Sequence, residues 1–194
     1  MKVFIGVGHG GIDSGTVYNN LVEKKINLNI SLAIEKYLKE RNIDVKLSRY
    51  KDESDTLNSE IKECNDYKPD CAVEIHCNAG NGIGHEIFVQ YYPVNDKNQP
   101  VHKFHNKSLK LAQYIDDSLI EMGHISRGIK SRLSESNKTY DYYGWLRYTK
   151  CPAVLVECAF LDNIKDSQTI DTEEEQTQFG IHIAKAIEQY LGMV

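Results

Sequence analysis

The feature that most constrains how this chain folds is a repeating exchange between short apolar runs and longer stretches of helical periodicity, sustained almost end to end. Residues 3–7 predict a first strand, ending in Gly8-His9-Gly10-Gly11. A turn-rich loop over 12–20 follows, and then residues 22–41 place Ile26, Ile30, Ala33 and Tyr37 on one helical face with charges opposite. Residues 44–48 predict a second strand. Leu57, Ile61 and Cys64 mark a short helix capped by Ser54 or Asp55, and Pro69-Asp70 introduces a third strand over 71–77. A fourth, over 86–92, carries the β-branched and aromatic residues that suit a pleated surface.

After a polar excursion over 93–107, Leu109, Ala112, Ile115, Leu119 and Met122 predict a helix stopped by Gly123. A short strand over 128–133 and a Tyr-rich polar loop over 134–143 precede the most apolar run, 153–160, the expected central strand. The last helix opens with Thr172-Glu173-Glu174-Glu175, a capping-box pattern that also sets acid at the positive helix end. Strands alternating with helices imply an α/β fold: a single domain over 1–194, with a twisted, mostly parallel sheet of about six strands and helices on both faces. No repeat, low-complexity tract or linker interrupts it, and no appended binding module is expected.

Lys plus Arg number 23 against 28 Asp plus Glu, for a net charge of −5, which argues against a nucleic-acid partner held through its phosphates. The longest apolar runs, such as 153–156, fall far short of the ~20 residues that span a bilayer, so membrane insertion is not expected. The N-terminus lacks the apolar core of a secretory signal, and the expectation is synthesis in the cytoplasm without a signal peptide. Five cysteines (Cys64, Cys71, Cys77, Cys151, Cys158) include no CxxC pair and read as reduced thiols.

In open α/β sheets, ligands bind beyond the carboxyl ends of the strands. His9 follows the first strand, His76 lies near the end of the third, Glu157 lies near the end of the most apolar one, and Glu23 sits where the first helix begins. Two imidazoles and two carboxylates thus converge on one rim. Two histidines and one carboxylate leave a Zn2+ ion a position open to water, and the other carboxylate can act as general base. A lone histidine at a strand end is commonly a hydrogen-bonded structural residue, but a Glu inside Val-Leu-Val-Glu-Cys-Ala-Phe is costly unless it is paired or used. Glu74 shares strand parity with His76 and reads either as a partner behind a ligand or as an edge residue. The glycines around His9 form no GxGxxG or GK[ST] loop; they let the backbone turn tightly beside an ion. His85, His102, His105, His124 and His182 read as solvent-facing or structural.

These pieces, in this order, resemble the zinc-dependent N-acetylmuramoyl-L-alanine amidases of bacterial autolysins, spore-cortex enzymes and phage endolysins. The matching segments are Val7-Gly8-His9-Gly10-Gly11, Asp13-Ser14-Gly15, Glu23, Glu74-Ile75-His76-Cys77-Asn78-Ala79, Arg127-Gly128-Ile129-Lys130, Leu146-Arg147-Tyr148-Thr149 and the run from Pro152 to Asn163. The resemblance implies that His9, Glu23 and His76 hold one Zn2+ ion and that Glu157 is the catalytic carboxylate. It further implies peptidoglycan as substrate, with hydrolysis of the amide between N-acetylmuramic acid and L-alanine of the stem peptide. Three positions depart from the family pattern: Glu74 stands where a small or hydroxyl residue is usual, Cys77 where Ala is common and Ala159 where Gly is frequent.

A cysteine hydrolase built on Cys77 and His76 is a poor alternative, because adjacent strand residues face opposite ways. A non-catalytic peptidoglycan-binding protein that retains the fold is the other. Without a signal peptide, the expected setting is a phage or prophage endolysin acting at the cell wall after release. The 18 Lys against 5 Arg hint at an AT-rich coding sequence.

Overall fold

The structure is a computed structural model and describes residues 1–91, 104–136 and 140–193. Its strands and helices follow the alternation in the sequence. Strand β1 (Lys2–Val7) leads through a two-residue hairpin, β2 (Val17–Tyr18) and β3 (Leu21–Val22), into helix α1 (Glu23–Lys39). Then come β4 (Asp44–Leu47), α2 (Leu57–Tyr67), β5 (Cys71–Asn78), β6 (His85–Val89), α3 (His105–Glu121) and β7 (Ser126–Lys130). The remainder is α4 (Gly144–Tyr148), β8 (Ala153–Phe160), α5 (Ile164–Ser167) and α6 (Glu173–Tyr190).

Six strands form one sheet in the order β4-β1-β5-β8-β6-β7. Every pairing is parallel except β6 against β8. The 153–160 run is β8, a central strand buried along its whole length, as a continuous apolar run in a two-sided sheet should be. Alternate strand residues point to opposite faces, and the two faces are covered unequally. Behind the sheet, Val3, Ile5, Val73, Ile75, Val154 and Val156 meet the apolar stripes of α1, α3 and α6 in the larger core. In front, Phe4, Ala72, Ala153, Leu155 and Phe88 meet Ile61 and Cys64 of α2 and Trp145 and Leu146 of α4. No helix among the described residues is long and apolar enough to cross a membrane.

Differences from the sequence reading are local. Helix α2 is capped by Thr56, whose side chain accepts from Ser59 N at 3.2 Å, not by Ser54 or Asp55. Strand β7 starts two residues earlier than expected, because His85 and Ser126 set its register. The expected strand over 86–92 is His85–Val89, and its final position, 92, lies outside the described residues. Helices α4 and α5 were not anticipated; α4 is only five residues long and buries Trp145 and Leu146, too short to establish a period. Helix α6 carries the expected capping box, with Thr172 and Glu175 satisfying each other's backbone donors.

His85 and His124 are structural, and both are buried. Their Nδ1 atoms lie 3.2 Å apart; His85 Nε2 is 2.9 Å from Asp116 Oδ1, and His124 Nε2 is 3.1 Å from Thr169 Oγ1 and 3.7 Å from Asp166 Oδ1. His105 and His182 are hydrogen-bonded, to Gln90 O and to Ser118, while His102 lies outside the described residues. Burial pulls His124 down from its ordinary 6.5 to about 4, against the opposing pull of Asp166. The unfolded chain therefore takes up this proton first on acidification, and stability present above pH ~6.5 is lost towards pH ~4. Between pH 7 and 5 the loss expected through this residue is about 2 kcal/mol. Urea unfolding at the two pH values measures it, and His124→Gln should flatten the pH dependence.

Candidate metal centre

The front face of the sheet changes character within two rows. Phe4, Ala72 and Ala153 form an apolar base; Gly6, Glu74, Leu155 and Phe88 form the next row; His76, Glu157 and Glu86 form the last. Gly8 continues β1 beside that last row, its N–H donating to Ile75 O at 3.1 Å. The absent side chain is required there: a Cβ on Gly8 would lie 2.4–2.7 Å from the His76 ring. The sheet thus delivers an imidazole and two carboxylates to its carboxyl edge, and glycine leaves the space for them.

Two loop-borne groups complete the cluster. His9 follows β1 in a left-handed conformation, φ 61°. Glu23 is the first residue of α1, and the β2–β3 hairpin carries it back over the sheet. His9 Nε2 and His76 Nδ1 each lie 3.1 Å from the same atom, Glu23 Oε1. One ligand atom from each of these three residues lies within 4.8 Å of the others. The two rings meet edge to face, 4.9 Å between centroids.

Each donor is held from behind. His9 Nδ1 is 2.9 Å from Asp13 Oδ2, and His76 Nε2 is 3.3 Å from Glu74 Oε1. Glu23 Oε2 accepts from Thr16 N at 2.8 Å, and Oε1 also accepts from Cys77 N at 3.0 Å. The loop that carries His9 is pinned by Arg49, which is almost fully buried and donates to the carbonyls of Val7, Gly8 and His9 at 3.1, 3.2 and 2.6 Å.

Burial by itself would push the Glu23 carboxyl up, but hydrogen bonds from His76 and His9 outweigh it and hold the group far below the usual carboxylate range. Glu23 is therefore ionised at neutral pH. Burial lowers the affinity of His9 and His76 for protons, and Glu23 reverses the effect in both. Two imidazoles and an ionised carboxylate, each backed by a hydrogen bond, form a donor set that suits a divalent ion of zinc's type.

Glu157 lines the same cavity, of about 280 Å³, as His9, His76, Tyr143 and Trp145. It is 9% exposed, and its Oε2 has no hydrogen-bond partner among the described residues. Burial raises its carboxyl to about 7, with His76 opposing. Its neighbour Glu86 is neutralised instead: Oε1 accepts from Arg127 Nε and Lys130 Nζ, both at 2.7 Å, and Oε2 from Asn78 at 3.1 Å. Cys77 points to the opposite face, buried, with Sγ 3.6 Å from Asn27 Oδ1. It forms no dyad with His76.

Of the four residues singled out in the sequence, the structure brings His9, Glu23 and His76 together and sets Glu157 on the cavity that His9 and His76 line. Arg49, Asp13 and Glu86 were missed as site residues. Only Asp13 carried a local signal, four residues after His9.

A histidine–carboxylate–histidine cluster on the carboxyl edge of a mostly parallel sheet, beside a buried carboxylate with one oxygen unpartnered among the described residues, defines an α/β protein with a candidate metal centre. The chain belongs to the N-acetylmuramoyl-L-alanine amidase family, whose pattern matches residues 3–189. It is 32% identical over 174 residues to N-acetylmuramoyl-L-alanine amidase CwlM of Bacillus licheniformis, covering 88% of this chain and 60% of that protein. It is 32% identical over 166 residues to an endolysin of Bacillus phage SPP1, covering 83% of this chain and 55% of the endolysin. Among solved structures, the catalytic domain of CwlV, an N-acetylmuramoyl-L-alanine amidase from Bacillus (Paenibacillus) polymyxa var. colistinus, superimposes with a TM-score of 0.81 at 28% identity, covering 100% of this chain and 99% of that one. The chain therefore spans less than two thirds of the two relatives' lengths and nearly all of one catalytic domain.

Because the space over Gly8 belongs to the His76 ring, Gly8→Ala is expected to displace that ring and destabilise the fold by about 1–3 kcal/mol. The denaturant midpoint, at unchanged slope, checks it.

Proposed function

We propose that this chain is a single amidase catalytic domain that hydrolyses the amide between N-acetylmuramic acid and the L-alanine of the peptidoglycan stem peptide. His9, Glu23 and His76 would hold one Zn2+ ion. The observation that carries the reading is the meeting of His9 Nε2 and His76 Nδ1 on one ionised oxygen of Glu23. A zinc ion bound there supplies a Lewis acid and a nucleophilic water at neutral pH.

The chain's own residues do the rest. Glu157 lines the cavity, and its Oε2 has no hydrogen-bond partner among the described residues, so the carboxylate can take a proton from the attacking water and pass it to the departing amine of L-alanine. Burial keeps Glu157 out of bulk water, which strengthens its interaction with charge that develops in the site. Arg127 and Lys130 neutralise Glu86 next to it, so the two register partners do not place two unscreened charges side by side. Asp13 orients the His9 ring through Nδ1.

For the biological setting we favour a phage or prophage endolysin working at the bacterial cell wall, a reading supported by the likeness to the phage SPP1 endolysin. The bond assignment is supported by family membership and by the relatives' activity as named.

Mass spectrometry of purified peptidoglycan digested by the protein tests the assignment. Free stem peptides beginning with L-alanine are expected, lost on chelation and restored by zinc; cut glycan or peptide bonds with stems still attached would overturn it. Glu157→Gln is expected to slow release by about 10²–10⁴-fold while zinc is still taken up. No release of stem peptides by the wild-type protein, with or without zinc, would favour the non-catalytic binding reading instead.

A further inference from the structure

Glu74 occupies a position that a parallel sheet normally fills with an apolar side chain. It sits in the middle of β5, 4% exposed, two residues before His76 and on the same face. Its Oε2 has no partner among the described residues. A buried carboxylate with a free oxygen is costly, and its surroundings are shaped to keep it. A Cβ on Gly6, the register partner of Glu74 on β1, would lie 3.1 Å from Glu74 Cγ and 2.8 Å from Glu60 Oε1. The absent side chain of Gly6 is thus the slot in which the Glu74 stem lies. What the slot achieves is a direction: Glu74 Oε1 ends 3.3 Å from His76 Nε2, on the far side of the ring from Glu23.

We infer that Glu74 is a positioning residue, accepting the Nε2 proton of His76 and so fixing the ring with its Nδ1 lone pair towards the ion position shared with His9 and Glu23. An imidazole has two nitrogens, and the hydrogen bond made by one sets the tautomer and donor strength of the other. His9 has the same arrangement in reverse, its Nδ1 on Asp13 and its Nε2 on Glu23. Each histidine therefore has one nitrogen on Glu23 and the other on a carboxylate of its own. Asp13 lies in an exposed loop, whereas Glu74 is embedded in the sheet. The Glu74 bond is the one sheltered from water. The inference rests on the metal reading above and assigns a task to a residue that the family resemblance leaves unexplained.

Zinc affinity, measured by competition with a chromophoric chelator, tests it together with the exchange rate of the His76 imidazole N–H in zinc-loaded protein, followed by NMR. Glu74→Ala is expected to weaken zinc binding by about 10- to 100-fold and to speed that exchange. Glu74→Gln, which keeps a carbonyl acceptor, should recover part of both. Should Glu74→Ala fail to fold, Glu74→Leu fills the slot over Gly6 without an acceptor and should show the same loss as expected for Ala. Affinity within about twofold of wild type and unchanged exchange, in whichever of the two folds, would overturn the inference and leave the metal reading intact. A wild-type protein that takes up no zinc would overturn both.

Discussion

One oxygen atom organises this molecule's working end. Glu23 Oε1 receives His9 from the loop after β1, His76 from β5, and the backbone N–H of Cys77. The contacts come from the loop after β1 and from β5, so the loop, the sheet and the start of α1 must all be in register for the cluster to exist. Burying a carboxylate at the mouth of a sheet is expensive unless the charge is fully answered. Here it is answered by imidazoles and backbone N–H groups, and the imidazoles are also groups that a divalent ion takes as ligands.

The sheet makes this affordable by separating its duties. The rear face meets three long helices in a continuous aliphatic core, where most of the hydrophobic stabilisation resides. The front face is apolar only under α2 and α4 and then gives way, in two rows, to glutamate and histidine. Two glycines on and just after β1 open the space that those side chains fill. Stability and chemistry thus occupy opposite faces of the same strands, and β8 serves both through its alternating residues.

Much of this is visible in the sequence, for physical reasons that differ by residue. Glu157 stands out because a charge inside an otherwise apolar run needs a use, whatever the fold. His9, His76 and Glu23 become a set only once the strand order of an α/β sheet is assumed, since they share a rim and not a neighbourhood in sequence. The finer structure is less legible. Arg49 pins three carbonyls from some 40 residues away, and nothing near it in the chain signals that. The burial of His85 and His124 depends on Asp116 and Thr169, 31 and 45 residues distant from their respective partners. Helix α4 is set by Trp145 and Leu146 docking on the front core, a tertiary cause with too few residues to leave a period. The cap of α2 fell to Thr56, one of several adjacent residues able to cap.

The proposed chemistry stands or falls with one ion held by two imidazoles and a carboxylate at this rim. X-ray absorption at the zinc edge, on protein loaded with one equivalent of zinc, reads that ligand shell directly. A four-coordinate shell is expected, with two imidazole nitrogens and carboxylate and water oxygens at about 2.0–2.2 Å, losing one imidazole in either His9→Ala or His76→Ala. A shell of oxygens alone, or one that contains sulfur, or one indifferent to both substitutions, would contradict it.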